Sequence, residues 1–183
     1  MSALAERLKA ALAEAPPSDV PQDDSRPAAV LVPFFKDEGL WQVLFTKRTD
    51  KVEQHKGQVS FPGGAQDPED ESLVATSLRE TQEEIGVKDS DVELVGRLRP
   101  TRTVSNYLVQ PFVGIIPYPY PFQLNSFEVD SLVKVPLDQL LTEARGQRPG
   151  PGLALNLIFN RQGEVIWGAT ARILYQLLEA AFL

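Results

Sequence analysis

Residues 58–87 constrain this chain more than any other stretch. QVSFPGG (58–64) is a short strand-like run ending in a double glycine, and ESLVATSLRETQEEIGV (71–87) is the strongest helical pattern, with Gly86 as its stop. The predicted order is strand, glycine turn, polar loop, then a helix over 72–86. Within that helix, RETQEEIGV (79–87) places three glutamates among nine residues of a chain that already carries 25 acidic against 18 basic side chains. At about 100° per residue with Glu80 as zero, Glu84 falls near 40° and Glu83 near 300°, so the carboxylates share an arc of about 100°. Val74, Leu78, Thr81 and Ile85 fall between about 100° and 160° and form the predicted packing stripe.

Like charges at helical spacing cost about 0.2–0.5 kcal/mol per pair on a solvated face. In a partly enclosed cleft, with effective dielectric near 20, charges about 5 Å apart repel by roughly 3 kcal/mol. A helix facing a cleft therefore carries such a trio only with cations present. Composition narrows which cations. There is no cysteine, which excludes disulfides, thiolate metal sites and a cysteine nucleophile. His55 is the only histidine, which excludes a multi-histidine zinc site. A metal held mainly by oxygen remains, which favours Mg²⁺ or Mn²⁺, and glycines 63 and 64 can present a backbone carbonyl to it.

The rest of the 183 residues reads as one ordinary globular chain, 43% hydrophobic and 23% charged. MSALAERLKAALAEA suggests an amphipathic helix from Ser2 to Ala15, with Glu6 and Glu14 interrupting any secretory apolar core. PPSDVPQDDSRP (16–27) reads as a proline-rich linker, so residues 1–27 divide from a domain at 28–183. AAVLVPFF (28–35) and LWQVLFTKR (40–48) form a predicted hairpin around KDEG, followed by a polar loop over 49–57. DVELVGRLRP and NYLVQPFVGIIPYP give two further strands. VPLDQLLTEA (135–144) gives a helix, GLALNLIF a strand and ATARILYQLLEAAFL a closing helix. This mixture predicts an α/β or α+β sandwich, a mixed sheet between helices. No run approaches the roughly 18–20 apolar residues of a membrane span. A net charge of −7 argues against general nucleic-acid binding, and the expected setting is cytoplasmic.

The glycine turn followed by Arg79, Glu80, Glu83, Glu84, Gly86 and Val87 in register resembles the Nudix box: glycine, five residues, glutamate, seven residues, then Arg-Glu-aliphatic-any-Glu-Glu-any-Gly-aliphatic. Seven residues separate Glu71 from Arg79, as in the box. Thr81 replaces the usual aliphatic, and six residues instead of five separate Gly64 from Glu71. Glu71, Asp70 or Glu69 could fill the first acidic role; Glu71 falls opposite the glutamate trio on the helix. Nudix hydrolases cleave a nucleoside diphosphate linked to another group. The resemblance implies Glu80 and Glu84 as metal ligands, Glu83 as a third ligand or the base that deprotonates water, the Gly64 carbonyl completing the shell, and Arg79 orienting the carboxylates.

Upstream, LFTKRTDKVEQHKGQVSFPGG (44–64) is similar to the signature of the coenzyme A pyrophosphohydrolase branch, matching at Thr46, Arg48, His55, Gly57, Val59, Phe61, Pro62, Gly63 and Gly64. Phe45 and Thr49 replace a leucine and a serine. IWGATARIL (166–174) looks like the C-terminal segment of that branch, with Trp167 and Gly168 expected to pack where the last helix begins. The resemblance implies Mg²⁺- or Mn²⁺-dependent hydrolysis of the diphosphate of coenzyme A or its thioesters, giving 3′,5′-ADP and the 4′-phosphopantetheine compound; ADP-ribose or another nucleoside diphosphate derivative is the alternative. The rival from another class is a non-catalytic nucleotide sensor on the same fold, which would be expected to lose part of the glutamate set that this chain retains. Lys47, Arg48, Lys51 and Lys56 place four cations in ten residues of an acidic chain. Arg48, Lys51, His55 and Lys56 are the expected substrate-binding residues, since a diphosphate plus a 3′-phosphate calls for local positive charge.

Overall fold

A computed structural model describes residues 2–13, 24–50, 57–146, 159–161 and 163–183. Lys51, His55 and Lys56 lie outside the described residues, as do most of the proline-rich linker and most of GLALNLIF.

The organising strand is β1 (Arg26–Asp37), and its sequence explains why. RPAAVLVPFFKD is apolar on both faces because both are covered. Ala28, Val32 and Phe34 join one apolar cluster, while Ala29, Leu31 and Phe35 point into clusters on the other side. β1 runs parallel to β7 (Tyr107–Ile115) along nine paired positions. On its other edge β1 changes partner. Ala28–Val30 pair with β4 (Gly63–Ala65), and Phe34–Asp37 pair antiparallel with β2 (Leu40–Arg48). Pro33, which has no N–H to give a ladder, sits between the two pairings. The predicted hairpin is present. The double glycine is not a free turn: Gly63 and Gly64 belong to β4, one ladder away from β1.

The sheet continues through β3 (Val59–Ser60) and β8 (Val129–Pro136) beside β2, and through β5 (Glu93–Arg97) and β6 (Thr101–Arg102) beside β7. Sequence reading missed β6 and β8. It also started the following helix too early: α3 spans Leu137–Gly146, and Val135 and Pro136 end β8. β9 (Phe159–Arg161) and β10 (Glu164–Ile166), the latter also missed in the sequence, form a separate hairpin, and α4 (Gly168–Ala181) closes the chain.

Helices cover both faces of this mixed sheet. On one side lies α1 (Ala3–Leu12), whose buried Leu4, Ala5, Leu8 and Leu12 enter the same cluster as Leu174, Leu177 and Leu178 of α4. The N-terminal helix thus shares the main core, although the linker separates it in sequence. On the other side lies α2 (Leu73–Ile85), against β1 and β4. Ser72 caps it by accepting the Ala75 N–H at 3.2 Å. Gly86 ends it at φ 75°, in the left-handed region. A Cβ on Gly86 would also meet the Gln123 backbone nitrogen at 2.9 Å. A bare glycine therefore lets the chain at 123–125 close on the helix end, where Gln123 and Asn125 N–H groups donate to the Ile85 and Glu84 carbonyls.

Candidate active site

The predicted phase of α2 is corrected by its packing. Thr76, Ser77, Thr81, Glu84 and Ile85 are buried, while Val74 and Leu78 are only partly so. The buried arc is therefore centred near 50° on the same wheel, rotated by roughly 80° toward the glutamates. Small Thr and Ser side chains allow close approach to β1 and β4, and their hydroxyls are satisfied within the helix. Thr81 Oγ1 donates to the Ser77 carbonyl at 2.6 Å, and Ser77 Oγ to that of Val74 at 2.8 Å. Thr81 is fully buried, as expected from its place on the stripe.

The three glutamates consequently occupy three environments. Glu84 is 4% exposed, Glu80 half-buried and Glu83 exposed. Burial pushes the Glu84 carboxyl up to about 8; Arg48 opposes this, the charges of Glu80 and Glu128 add to it, and the Gly63 N–H donates against it. One oxygen, Glu84 Oε2, is buried with no hydrogen-bond partner among the described residues. Burial likewise raises Glu80, countered first by its hydrogen bond from Arg79.

Arg79 organises the other acids. Its Nε and Nη2 grip both oxygens of Asp70 at 2.9 Å, and its Nη1 donates to Glu80 at 2.9 Å and to Glu83 at 3.2 Å. Nη2 also reaches the Ala65 carbonyl of β4 at 3.3 Å. These bonds hold Asp70 well below the usual carboxylate range, aided by the Asp67 N–H and the Thr76 hydroxyl, and raise Arg79 further still. Of the three candidates for the first acidic role, Asp70 is the one joined to the arginine. Five residues separate Gly64 from Asp70, the spacing of the box, so the extra residue falls between Asp70 and Arg79. Glu71 and Glu69 are exposed.

Gly64 lies directly against Glu80: a Cβ there would stand 2.6 Å from the Glu80 carboxyl carbon. Any side chain at 64 would displace the carboxylate. Arg48 ends β2, its charge acts on Glu84, and its buried Nε has no partner among the described residues. Its neighbour Lys47 is engaged elsewhere, with Glu164 at 2.6 Å, which raises the lysine. The loop before β8 supplies Glu128, whose charge acts on both Glu80 and Glu84. Sequence reading missed it, since a lone glutamate in an irregular segment carries no periodic signal. Trp167 is 50% exposed and not packed as expected.

Among the described residues, no three acidic or histidine side chains converge into a ready metal-binding group. Two carboxylates one turn apart, an orphaned buried oxygen and a side-chain-free strand against Glu80 nevertheless fit a hard divalent cation, which takes oxygen ligands from carboxylate, carbonyl and water. A groove of about 480 Å³ also runs along α2 past Val74, Leu78, Arg79 and Glu83. It lies on the outer side of the helix, nearly opposite Glu84 on the wheel, whereas Glu80 and Glu84 turn toward β4.

Comparison with known proteins agrees with this geometry. The NUDIX domain family matches residues 25–153. An uncharacterized Nudix hydrolase, NudL, of Yersinia pestis (strain Pestoides F) is 38% identical over 161 residues, covering 85% of this chain and 79% of that protein. A MutT/nudix family protein from Enterococcus faecalis shares the fold at a TM-score of 0.57 and 16% identity, over 86% of this chain and 62% of that one. An Ap4A hydrolase of C. elegans, in a binary complex, shares it at a TM-score of 0.53 and 20% identity, over 64% and 84% respectively. The chain belongs to the Nudix hydrolase family and is a pyrophosphohydrolase.

Proposed function

We propose that this enzyme hydrolyses the diphosphate linkage of coenzyme A or its thioesters, releasing 3′,5′-ADP and 4′-phosphopantetheine or its acyl form. The observation that carries the reading is where the upstream signature falls. Arg48 borders Glu84, the Gly63 N–H donates to Glu84, and Gly64 lies against Glu80. A buried guanidinium Nε without an acceptor suits an anionic substrate oxygen, because an unmet buried donor costs roughly 1–3 kcal/mol.

Glu80 and Glu84, with the Gly64 carbonyl, would hold Mg²⁺ or Mn²⁺, and Glu83 is a third ligand or the base that takes a proton from the attacking water. The bound cation supplies neutralisation of charge developing on the diphosphate oxygens. Arg79 fixes Glu80 while anchored on Asp70, so its part is to hold a carboxylate oxygen toward β4. Glu83 shares the same guanidinium from the solvent side, within reach of water. Lys51, His55 and Lys56 complete the proposed substrate-binding set with Arg48.

The test compares coenzyme A, dephospho-coenzyme A and ADP-ribose at fixed ionic strength, with and without metal. Coenzyme A is expected to show the highest kcat/KM. Arg48→Ala should shrink its advantage over dephospho-coenzyme A by about 10- to 150-fold, the value of one charge-assisted contact of roughly 1.5–3 kcal/mol. An equal loss on both substrates would move Arg48 to the diphosphate. A preference for ADP-ribose in the unmodified enzyme would remove the coenzyme A assignment.

A further inference from the structure

The segment 123–128 is fastened at three places around the site. At one end, Gln123 and Asn125 N–H groups donate to the last carbonyls of α2 at 3.1 and 2.9 Å. At the other, Thr49, next to Arg48, donates its N–H to the Glu128 carbonyl at 2.9 Å and its hydroxyl to the Phe127 carbonyl at 2.7 Å. Within the segment, Asn125 closes a compact turn. Its Oδ1 accepts the Phe127 N–H at 3.2 Å, its carbonyl accepts the Glu128 and Val129 N–H groups, and its Nδ2 donates to the Glu128 carboxylate at 3.1 Å. The turn bridges the carboxylate helix to the strand that bears Arg48.

From this turn Phe127 projects at 65% exposure. Val104 is more exposed still, but it sits in the turn between β6 and β7. Phe127 differs in that its backbone is hydrogen-bonded on both flanks, to Thr49 next to Arg48 and to Asn125, whose own N–H meets the Glu84 carbonyl. Its exposed ring is not needed for the core, and its backbone is positioned in advance. A flat apolar ring at the rim of a diphosphate site suits the one flat, apolar-faced portion of a nucleoside diphosphate derivative, its base.

We infer that Phe127 is a specificity-determining residue that stacks on the nucleobase of the substrate, while the diphosphate lies at the Glu80 and Glu84 carboxylates. The inference rests on the family's nucleoside diphosphate chemistry and holds whichever group the diphosphate carries on its far side. Glu128 follows Phe127 in the same turn, so one short segment meets the substrate with a ring at the base and a charge near the carboxylates. Nothing in the sequence before or after FE (127–128) marks the pair.

The experiment measures ADP and inorganic pyrophosphate binding to the full chain in Mg²⁺ buffer by calorimetry, with kcat and KM for coenzyme A and ADP-ribose alongside. Phe127→Ala is expected to weaken ADP roughly 5- to 100-fold and to leave pyrophosphate within about twofold, because only the base contact is lost. KM for whichever substrate is cleaved should rise with kcat little changed. Phe127→Trp should restore ADP binding and Phe127→Leu should not. Equal ADP affinity in the alanine variant, equal weakening of ADP and pyrophosphate, or no measurable ADP binding by the unmodified enzyme would each overturn the assignment. Coenzyme A resistance with Phe127-dependent ADP binding would remove only the proposed substrate, whereas coenzyme A cleavage with Phe127-independent ADP binding would remove only the stacking role.

Discussion

Glu84→Gln separates the electrostatic role of the buried glutamate from its packing, because the amide keeps the volume and the helix propensity. In the metal-free protein the Glu84 carboxyl titrates near 8 instead of its ordinary 4.5. The folded state therefore favours its neutral form. The stability of that neutral form is fully present below about pH 4.5 and is lost as pH rises through about 8. At about 1.4 kcal/mol per unit, this amounts to roughly 4–5 kcal/mol forfeited on ionisation. The amide forfeits none of it, and the poorly partnered polar group it leaves is matched by the neutral carboxyl of the native protein. The net gain for the variant is about 4 kcal/mol above pH 8, or about 8–16 °C in Tm for a domain of this size. At pH 5, where the native carboxyl is also neutral, the two proteins should melt within about a degree or two of each other.

The assay is thermal unfolding in EDTA at pH 5 and pH 8.5, followed by kcat with Mg²⁺ restored. The variant is expected to gain Tm only at the higher pH and to lose about 10²–10³ in kcat, the scale for loss of one electrostatic stabiliser. A Tm difference independent of pH would refute the buried, raised carboxyl. Full activity at ordinary metal concentration would refute Glu84 as a ligand.

Two further substitutions probe the neighbours of this group. Asp70→Asn removes a carboxylate that Arg79 holds below its usual range; its stabilising effect is present above about pH 3.8 and is lost as pH falls through its lower folded value. The amide should lower Tm at pH 7 and reduce kcat by about 10- to 100-fold through a loosened Arg79, while Glu71→Gln should do neither, as kinetics and melting of both variants would show. Thr81→Val should keep stability within about 1 kcal/mol of native or raise it, because the lost hydroxyl bonds only a helical carbonyl; a large loss of activity in a folded protein would place that hydroxyl in the site.

How far the sequence disclosed the fold depended on whether local pattern and tertiary environment agreed. β1 was legible because burial on both faces leaves an unbroken apolar run, and α2 because Ser72 and Gly86 mark its ends in both sequence and structure. β8 was not. Its buried Val129, Val133 and Val135 alternate, but Asp130, Ser131 and Lys134 dilute the pattern, and Val135-Pro136 reads equally well as a helix beginning. β4 was read as a turn because two glycines signal conformational freedom. Here they answer a different need. Gly63 lies against the Ala29–Val30 backbone and Gly64 against the Glu80 carboxylate, so close approach excludes side chains while the ladder to β1 persists.

The site shows the same division, and its charges explain why the acidic turn exists. Periodicity counts apolar residues, so it set the packing stripe on Val74 and Leu78 and left Glu84 on the outer flank. It could not register that Thr76 and Ser77 bury as readily where a helix lies close to a sheet. Asp70 and Glu128 reach the glutamates only through the fold, one by the Arg79 fork and one by the turn before β8. Arg79 offers hydrogen bonds to Asp70, Glu80 and Glu83 together and so compensates that side of the cluster. Glu84 has no such partner. Arg48 acts on it through space, while Glu80 and Glu128 act against its ionisation. Among the acids of this turn Glu84 is thus the one without a direct cationic hydrogen bond, beside Glu80 and β4, and a divalent cation there would restore to Glu84 the charged form that burial withholds.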